Sequence, residues 1–260
     1  MAAPRIRRPA LAIGGLVFVG AGAAIGFGVF DEASVTHRQS VTGVERIELD
    51  KGAGDVAIRA GDVEAARVVE TKSYRWGDDD PVFEVRDDVL TLPDCGMWCT
   101  TTHEIVVPRG VAVSGDIGSG ELDVTGAESL DVEVGSGGAR VSDVEGDARV
   151  DAGSGHVELS GIGGEVTVDA GSGGITGRGL AGPVEAESGS GEITLELSRP
   201  AGVTASTGSG DIALTVPRAD YRIAGDSGSG SREIGVDTSP GARHTLSLDT
   251  GSGDVTVRRR

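Results

Sequence analysis

From Glu165 to Gly182 the chain reads Glu-Val-Thr-Val-Asp-Ala-Gly-Ser-Gly-Gly-Ile-Thr-Gly-Arg-Gly-Leu-Ala-Gly. Val166, Val168 and Ala170 alternate with Glu165, Thr167 and Asp169. A period of two places the apolar set on one face of an extended strand. The preceding unit repeats this with Val150 and Ala152, then Val157 and Leu159; the next does so with Val184 and Ala186, then Ile193, Leu195 and Leu197. No stretch after Asp31 carries a sustained helical period, so almost no helix is expected there.

The alternating segments are punctuated at fixed intervals. Gly-Ser-Gly occurs eight times, starting at Gly118, Gly135, Gly153, Gly171, Gly189, Gly208, Gly228 and Gly251, in steps of 17, 18, 18, 18, 19, 20 and 23 residues. A degenerate ninth copy is Gly52-Ala53-Gly54. A second glycine-bearing break falls half a period later, at Gly126, Gly146, Gly161 to Gly164, Gly179 to Gly182 and Gly202. Two strands and two turns per ~18 residues predict one coil of an all-β, parallel β-solenoid, with equivalent strands stacked ~4.8 Å apart. One coil cannot bury its valines alone, whereas stacked coils share a thin continuous core. The 3% aromatic content suits a narrow interior. Stacking would also line up Ser119, Ser136, Ser154, Ser172, Ser190, Ser209, Ser229 and Ser252; a ligand strip is the functional alternative, and turn chemistry is the favoured one.

The period is interrupted between Gly54 and Gly118, and residues 61–117 are read as a cap within a solenoid domain spanning 44–260. Solenoid ends expose unpaired strand edges and need covering. Strand-like runs lie at Ala66 to Tyr74, Val82 to Arg86, Val89 to Leu92 and Glu104 to Val107, among four of the chain's eight aromatic residues, Tyr74, Trp76, Phe83 and Trp98. Cys95 and Cys99 are four residues apart here, and a local disulfide is the expected state in an oxidising compartment. A redox role would use Cys-x-x-Cys, and a metal site would need more ligands than His103 supplies. No metal, cofactor or catalytic residue is expected.

The N-terminus supplies a cellular address. Residues 10–30 are uncharged and, as a helix, span ~31 Å, the thickness of a bilayer core. Arg5, Arg7 and Arg8 precede them; Asp31 and Glu32 follow. Basic flanks stay cytoplasmic. The expected order is a cytoplasmic N-terminus over 1–9, a single membrane span over 10–30, a linker over 31–43 and an extracytoplasmic bulk. The alternative is a cleaved signal peptide ending at Ala21-Gly22-Ala23; the apolar run continues past that site, which favours the anchor.

Charge narrows the partners. Leaving aside the three arginines of the first 30 residues and the three at the C-terminus, 17 basic residues face 41 acidic ones, a net charge of −24. Such a surface repels nucleic acid and anionic lipid and is compatible with Ca²⁺ or cationic partners. Glu133, Asp151, Asp169 and Glu187 recur near the repeat turn and would form an acidic stripe. Gly225-Asp226-Ser227-Gly228 matches the string around a trypsin-like nucleophile, but it lies in the repeat register and none of His37, His103, His156 and His244 brings a companion motif. Regular calcium repeats need nine-residue spacing, and the acidic run from Trp76 to Pro81 lacks EF-hand ligand spacing. A glycan-active β-helix enzyme would need carboxylates and sugar-stacking aromatics on one face, whereas the aromatics cluster in the cap. The longer final units are read as wider bends, and Val255-Thr256-Val257 before three arginines as an edge strand blocked by charge.

The repeated x-Val-x-Val-x-x-Gly-Ser-Gly-x-Val/Ile-x-Leu/Val frame, the opening Ile47 to Ile58 and the Val107-Pro108-Arg109-Gly110-Val111 element resemble a bacterial family of β-strand-repeat proteins labelled "putative adhesins". The resemblance covers Val44 to Val257; the Cys95/Cys99 loop departs from it. It implies a membrane- or wall-associated solenoid, with some relatives connected to envelope stress responses, and supplies no catalytic residues. The expected function is non-enzymatic: adhesion or binding to a cell-wall polymer or envelope protein. The alternatives are an envelope-stress sensor or scaffold and, least favoured, the glycan-active enzyme.

Overall fold

In the computed structural model of the chain, residues 33–75 and 79–260 are described. The predicted span over 10–30 lies outside these residues, and no helix among them is long and apolar enough to cross a membrane. The described residues are all-β. The strands are β1 (Ala33–Val41), β2 (Arg46–Ala53), β3 (Val56–Gly61), β4 (Ala66–Tyr74), β5 (Glu84–Arg86), β6 (Val89–Pro93), β7 (Cys99–Pro108) and β8 (Ala112–Ser119). There follow β9 (Leu122–Thr125), β10 (Leu130–Ser136), β11 (Ala139–Ser142), β12 (Ala148–Ser154), β13 (Val157–Ser160), β14 (Val166–Ser172), β15 (Ile175–Leu180) and β16 (Val184–Ser188). The last are β17 (Ile193–Leu197), β18 (Val203–Ser209), β19 (Ile212–Val216), β20 (Tyr221–Ala224), β21 (Ser227–Ser229), β22 (Arg232–Ile234), β23 (His244–Ser252) and β24 (Val255–Arg259).

Two long sheets face each other. One runs β1-β4-β7-β3-β9-β11-β13-β15-β17-β19-β24-β22, the other β20-β23-β18-β16-β14-β12-β10-β8-β2-β6-β5, with β21 also on β23. Each regular coil gives one strand to each sheet, and neighbouring coils pair in parallel and in register: Val132↔Val150↔Val168↔Ala186 on one side, Val124↔Val141↔Leu159 on the other. These inward rows are buried. Each fully buried Val or Leu side chain contributes about 1.5–3 kcal/mol.

The Gly-Ser-Gly repeat marks the sharp edge between the sheets. A Cβ on Gly135 would lie 2.6 Å from the Gly118 carbonyl oxygen, and one on Gly153 would lie 2.5 Å from that of Gly135. In most copies the closing glycine of the triplet is held at positive φ as well, +131° at Gly137 and +143° at Gly155. Backbone stacks directly on backbone, which leaves no room for a side chain. The serines between them are exposed and in register, as in Ser119↔Ser136↔Ser154↔Ser172.

Both ends depart from simple stacking. The first coil, β2 with β3, is covered on one side by β8 and β9 and on the other by β6 and β7. The chain leaves after β3, builds the outer layer, and re-enters at β8. Within that layer β4 runs antiparallel to both β7 and β1. Ala33–Val41 is therefore a strand where a linker was expected over 31–43, because it completes the cap. Ala112–Ser119, placed in the 61–117 cap by sequence, is the first regular rung.

At the far end the last coil in sequence is not the last in space. β24 lies between β19 and β22, and β23 between β18 and β20. This corrects the expectation that Val255 to Val257 form a charge-blocked edge. The outermost coil is Tyr221 to Ile234, whose strands bury little apart from Tyr221. The long steps reflect this crossover: the chain skips a rung after Val216 and returns to fill it. Tyr221 is buried at this end, and its hydroxyl donates to the Pro217 carbonyl at 2.9 Å.

Candidate functional site

Three features stand out from the repeat. The first is a polar cluster inside the cap. Ile47, Leu49 and Lys51 are consecutive inward positions of β2, and Lys51 pairs with Ile117 in the core row that continues through Val134 and Ala152. His103 occupies the inward row of β7 opposite Val56, with Glu70 of β4 and then His37 of β1 beside it. Lys51 Nζ donates to the Thr101 carbonyl (2.5 Å), to Thr101 Oγ1 (3.1 Å) and to His103 Nδ1 (3.0 Å). His103 Nε2 then carries the proton donated to Glu70 Oε2 at 3.1 Å, and Glu70 also accepts from the Val82 amide at 3.0 Å. Lys51, Glu70 and His103 are at most 2% exposed.

Burial lowers the Lys51 ammonium to about 8, against the opposing pull of Glu70, Asp55 and Asp94. Burial also depresses His103, helped by the Lys51 charge, although the Glu70 bond opposes it. Burial alone would raise Glu70, but hydrogen bonds from His103 and the Val82 amide hold it below the usual carboxylate value. The arrangement is a charged lysine, a neutral imidazole and an ionised carboxylate in series. It has the chemistry of a proton relay, yet it is closed from solvent. Lys72, the chain's other lysine, is also buried in the cap and donates to the Asp80 carbonyl at 3.1 Å.

The second feature is the outer face of the sheet carrying β10 and β12. Glu133, Asp151, Asp169 and Glu187 are registered partners on successive rungs. The row extends through Asp116 to Asp50 on one side and, after Ser206, reaches Asp249 on the other. Parallel strands place these carboxylates ~4.8 Å apart. All are exposed except Asp151, which is half-buried and pairs with Arg149 at 2.9 Å. The opposite sheet offsets its charge: Glu158 lies between Arg140 (3.4 Å) and Arg178 (3.1 Å).

The third feature is the Cys95–Cys99 loop, closed by a disulfide with Cα atoms 5.7 Å apart. His103, considered with these cysteines as a metal ligand, has both ring nitrogens engaged by Lys51 and Glu70. Among the described residues no group of three His, Cys, Asp or Glu side chains is arranged to hold a metal ion. Ser227 Oγ donates to the Gly230 carbonyl at 3.4 Å, a contact within its own turn.

Sequence reasoning found the acidic row but missed the buried cluster. The signal was present: Lys51, Glu70, Lys72, Thr101 and His103 all fall on the apolar phase of their strands.

A parallel solenoid of two facing sheets, one of them striped with carboxylates, defines a class of β-strand-repeat proteins. The Toastrack DUF4097 family matches residues 44–258, and the chain belongs to that family. Among solved structures, a "putative adhesin" from Parabacteroides distasonis superposes with a TM-score of 0.56 at 15% identity, covering 87% of this chain and 98% of that one. A "putative adhesin" from Bacteroides fragilis gives a TM-score of 0.41 at 18% identity, covering 89% and 99%. The first of these similarities supports the fold. No curated protein matches the chain.

Proposed function

We propose that this is a membrane-anchored, extracytoplasmic binding protein with an adhesion-like role, non-enzymatic, that grips an envelope component along its acidic sheet face. The observation that carries this reading is the carboxylate row from Asp50 through Asp116, Glu133, Asp151 and Asp169 to Glu187, one acid on each of six successive rungs. A linear array of like charge at constant spacing matches a partner that is itself extended and repetitive, with cationic groups or bridging Ca²⁺. A flat strip engages by summed weak contacts, so its affinity grows with the number of rungs occupied. The uncharged run over residues 10–30, bounded by arginines on one side and acids on the other, supports the anchor and the extracytoplasmic address. The non-enzymatic reading is supported by the closure of the Lys51–His103–Glu70 cluster, whose groups reach no open surface.

Co-sedimentation of residues 31–260 with isolated cell-wall polymers, with and without Ca²⁺, tests the reading. Saturable binding is expected. Absence of binding to every wall fraction would overturn it in favour of a sensor or scaffold acting through an envelope protein.

A further inference from the structure

Met97 and Trp98 are the exposed large apolar side chains among the described residues, 82% and 62% exposed. They sit side by side at the tip of the Cys95–Cys99 loop. Trp98 adopts φ = +73°, a conformation bulky residues rarely take. Two contacts hold it there besides the disulfide: the Arg75 amide donates to the Trp98 carbonyl at 3.1 Å, and the Arg75 guanidinium lies 6.0 Å from the indole centroid. The loop therefore presents an apolar pair to solvent from a braced base.

The position of this tip relative to the start of the fold gives it meaning. Ala33 is the register partner of Tyr74, and Tyr74 of Cys99. Two strand spacings, roughly 10 Å, separate Ala33 from Cys99. Asp31 and Glu32 alone stand between Ala33 and the uncharged run that ends at Phe30, a reach of about 10 Å when extended. The ends of β1, β4 and β7 also project beyond the Gly-Ser-Gly edge: Thr101 lies against Gly54, and Cys99 is two residues further out. The start of β1 and the Met97–Trp98 tip thus share one corner of the molecule.

We propose that the Cys95–Cys99 loop is a second membrane contact, with Met97 and Trp98 seated in the headgroup layer of the bilayer in which residues 10–30 are anchored. This rests on the membrane-anchor part of the function proposed above. Trp is the side chain best suited to that layer, with an apolar ring and one polar N–H. The occupant is a zwitterionic rather than a strongly anionic surface, because Asp94 adjoins Cys95 in sequence and Asp79 and Asp80 follow closely on Arg75, the residue braced against Trp98. Two points of attachment, helix and loop, would fix the orientation of the solenoid on the membrane where a single tether would leave it free.

The test uses the full chain carrying Trp76→Phe, so that Trp98 is the only tryptophan, reconstituted into phosphatidylcholine vesicles with or without brominated acyl chains. Flotation of the protein with the vesicles, a shift of Trp98 emission to shorter wavelength and its quenching by the brominated lipid are expected. Flotation with emission unshifted, unquenched by bromine and open to acrylamide would overturn the loop contact while leaving the anchor intact. Loss of flotation would overturn the anchor and the loop contact together.

Discussion

Lys51 donates a 3.0 Å hydrogen bond to Nδ1 of His103 from a position where the next rung carries Ile117. A core row of a repeat protein thus ends in a charge, and the cap supplies the groups that receive it. Breaking such a set by removing one member costs more than replacing the whole set with apolar groups of similar volume. Glu70→Ala leaves Lys51 and His103 without their carboxylate and is expected to destabilise the protein by about 3–5 kcal/mol. Removing the set whole, with Lys51→Met, Glu70→Leu and His103→Leu together, is expected to leave the protein closer to native stability than Glu70→Ala alone. Urea denaturation of both variants checks this ordering; a reversed order would contradict it.

The same cluster sets the response to alkali. The folded-state value of Lys51 is lowered from 10.5 to about 8, so between these values the unfolded chain binds the proton and the folded chain does not. Stability from this group is fully present above 10.5 and is lost as pH falls through about 8. At about 1.4 kcal/mol per unit, the rise with increasing pH across that window is of order 3–4 kcal/mol. Denaturation midpoints at pH 8 and above are expected to show this component in the native protein and to lack it in Lys51→Met.

Acid acts on His103 and Glu70 with the same sign. Both are depressed in the folded state, so their stabilisation is full above their ordinary values, 6.5 and 4.5, and is lost as pH falls through the folded ones. A protonated His103 would also face the Lys51 ammonium. Amides of β4 and β7 are expected to lose hydrogen-exchange protection in mild acid before those of β12 and β14, which lie away from the cluster. Uniform loss along the solenoid would contradict this.

Stacked glycines make a sharper demand than turn geometry alone. Gly155 combines φ = +143° with a Cβ direction blocked by the Gly137 carbonyl. Gly155→Ala is expected to cost about 1–3 kcal/mol. Gly241, which has no atom within 4 Å of a built Cβ, is expected to accept alanine within about 0.5 kcal/mol. Thermal denaturation of the two variants side by side measures the difference.

The crossover at the C-terminal end is visible to hydrogen exchange under native conditions. β24 is bonded on both sides, whereas β22 is bonded only to β24. Amides of Val255 and Val257 are therefore expected to outlast those of Arg232 and Ile234. Faster exchange at Val255 and Val257 would restore the simple stacking order.

What the chain revealed in advance follows from which contacts are local. Alternation at Val166, Val168 and Ala170 and the recurrence of Gly-Ser-Gly each report one coil, and identical coils have one efficient way to stack. The all-β fold, the rung register and the alignment of Glu133, Asp151, Asp169 and Glu187 were legible for that reason. The ends were not. Nothing in Val255-Thr256-Val257 distinguishes an inserted rung from a terminal one, because the distinction lies in where Tyr221 to Ile234 chose to pair. The buried cluster escaped for a related reason: Lys51, Glu70 and His103 are far apart in sequence, and only the antiparallel pairing of β4 with β7 brings the latter two together. Each broke the apolar phase of its own strand, and that local conflict was the available clue.

The central claim is that binding resides in the acidic row. The most direct measurement compares wall-polymer co-sedimentation of the native segment 31–260 with that of a variant carrying Glu133→Gln, Asp151→Asn, Asp169→Asn and Glu187→Gln, and of a control carrying Glu158→Gln on the opposite sheet. Saturable binding is expected for the native segment and the control, with at least a tenfold loss in the row variant, about 1.4 kcal/mol. Equal binding by all three would contradict it.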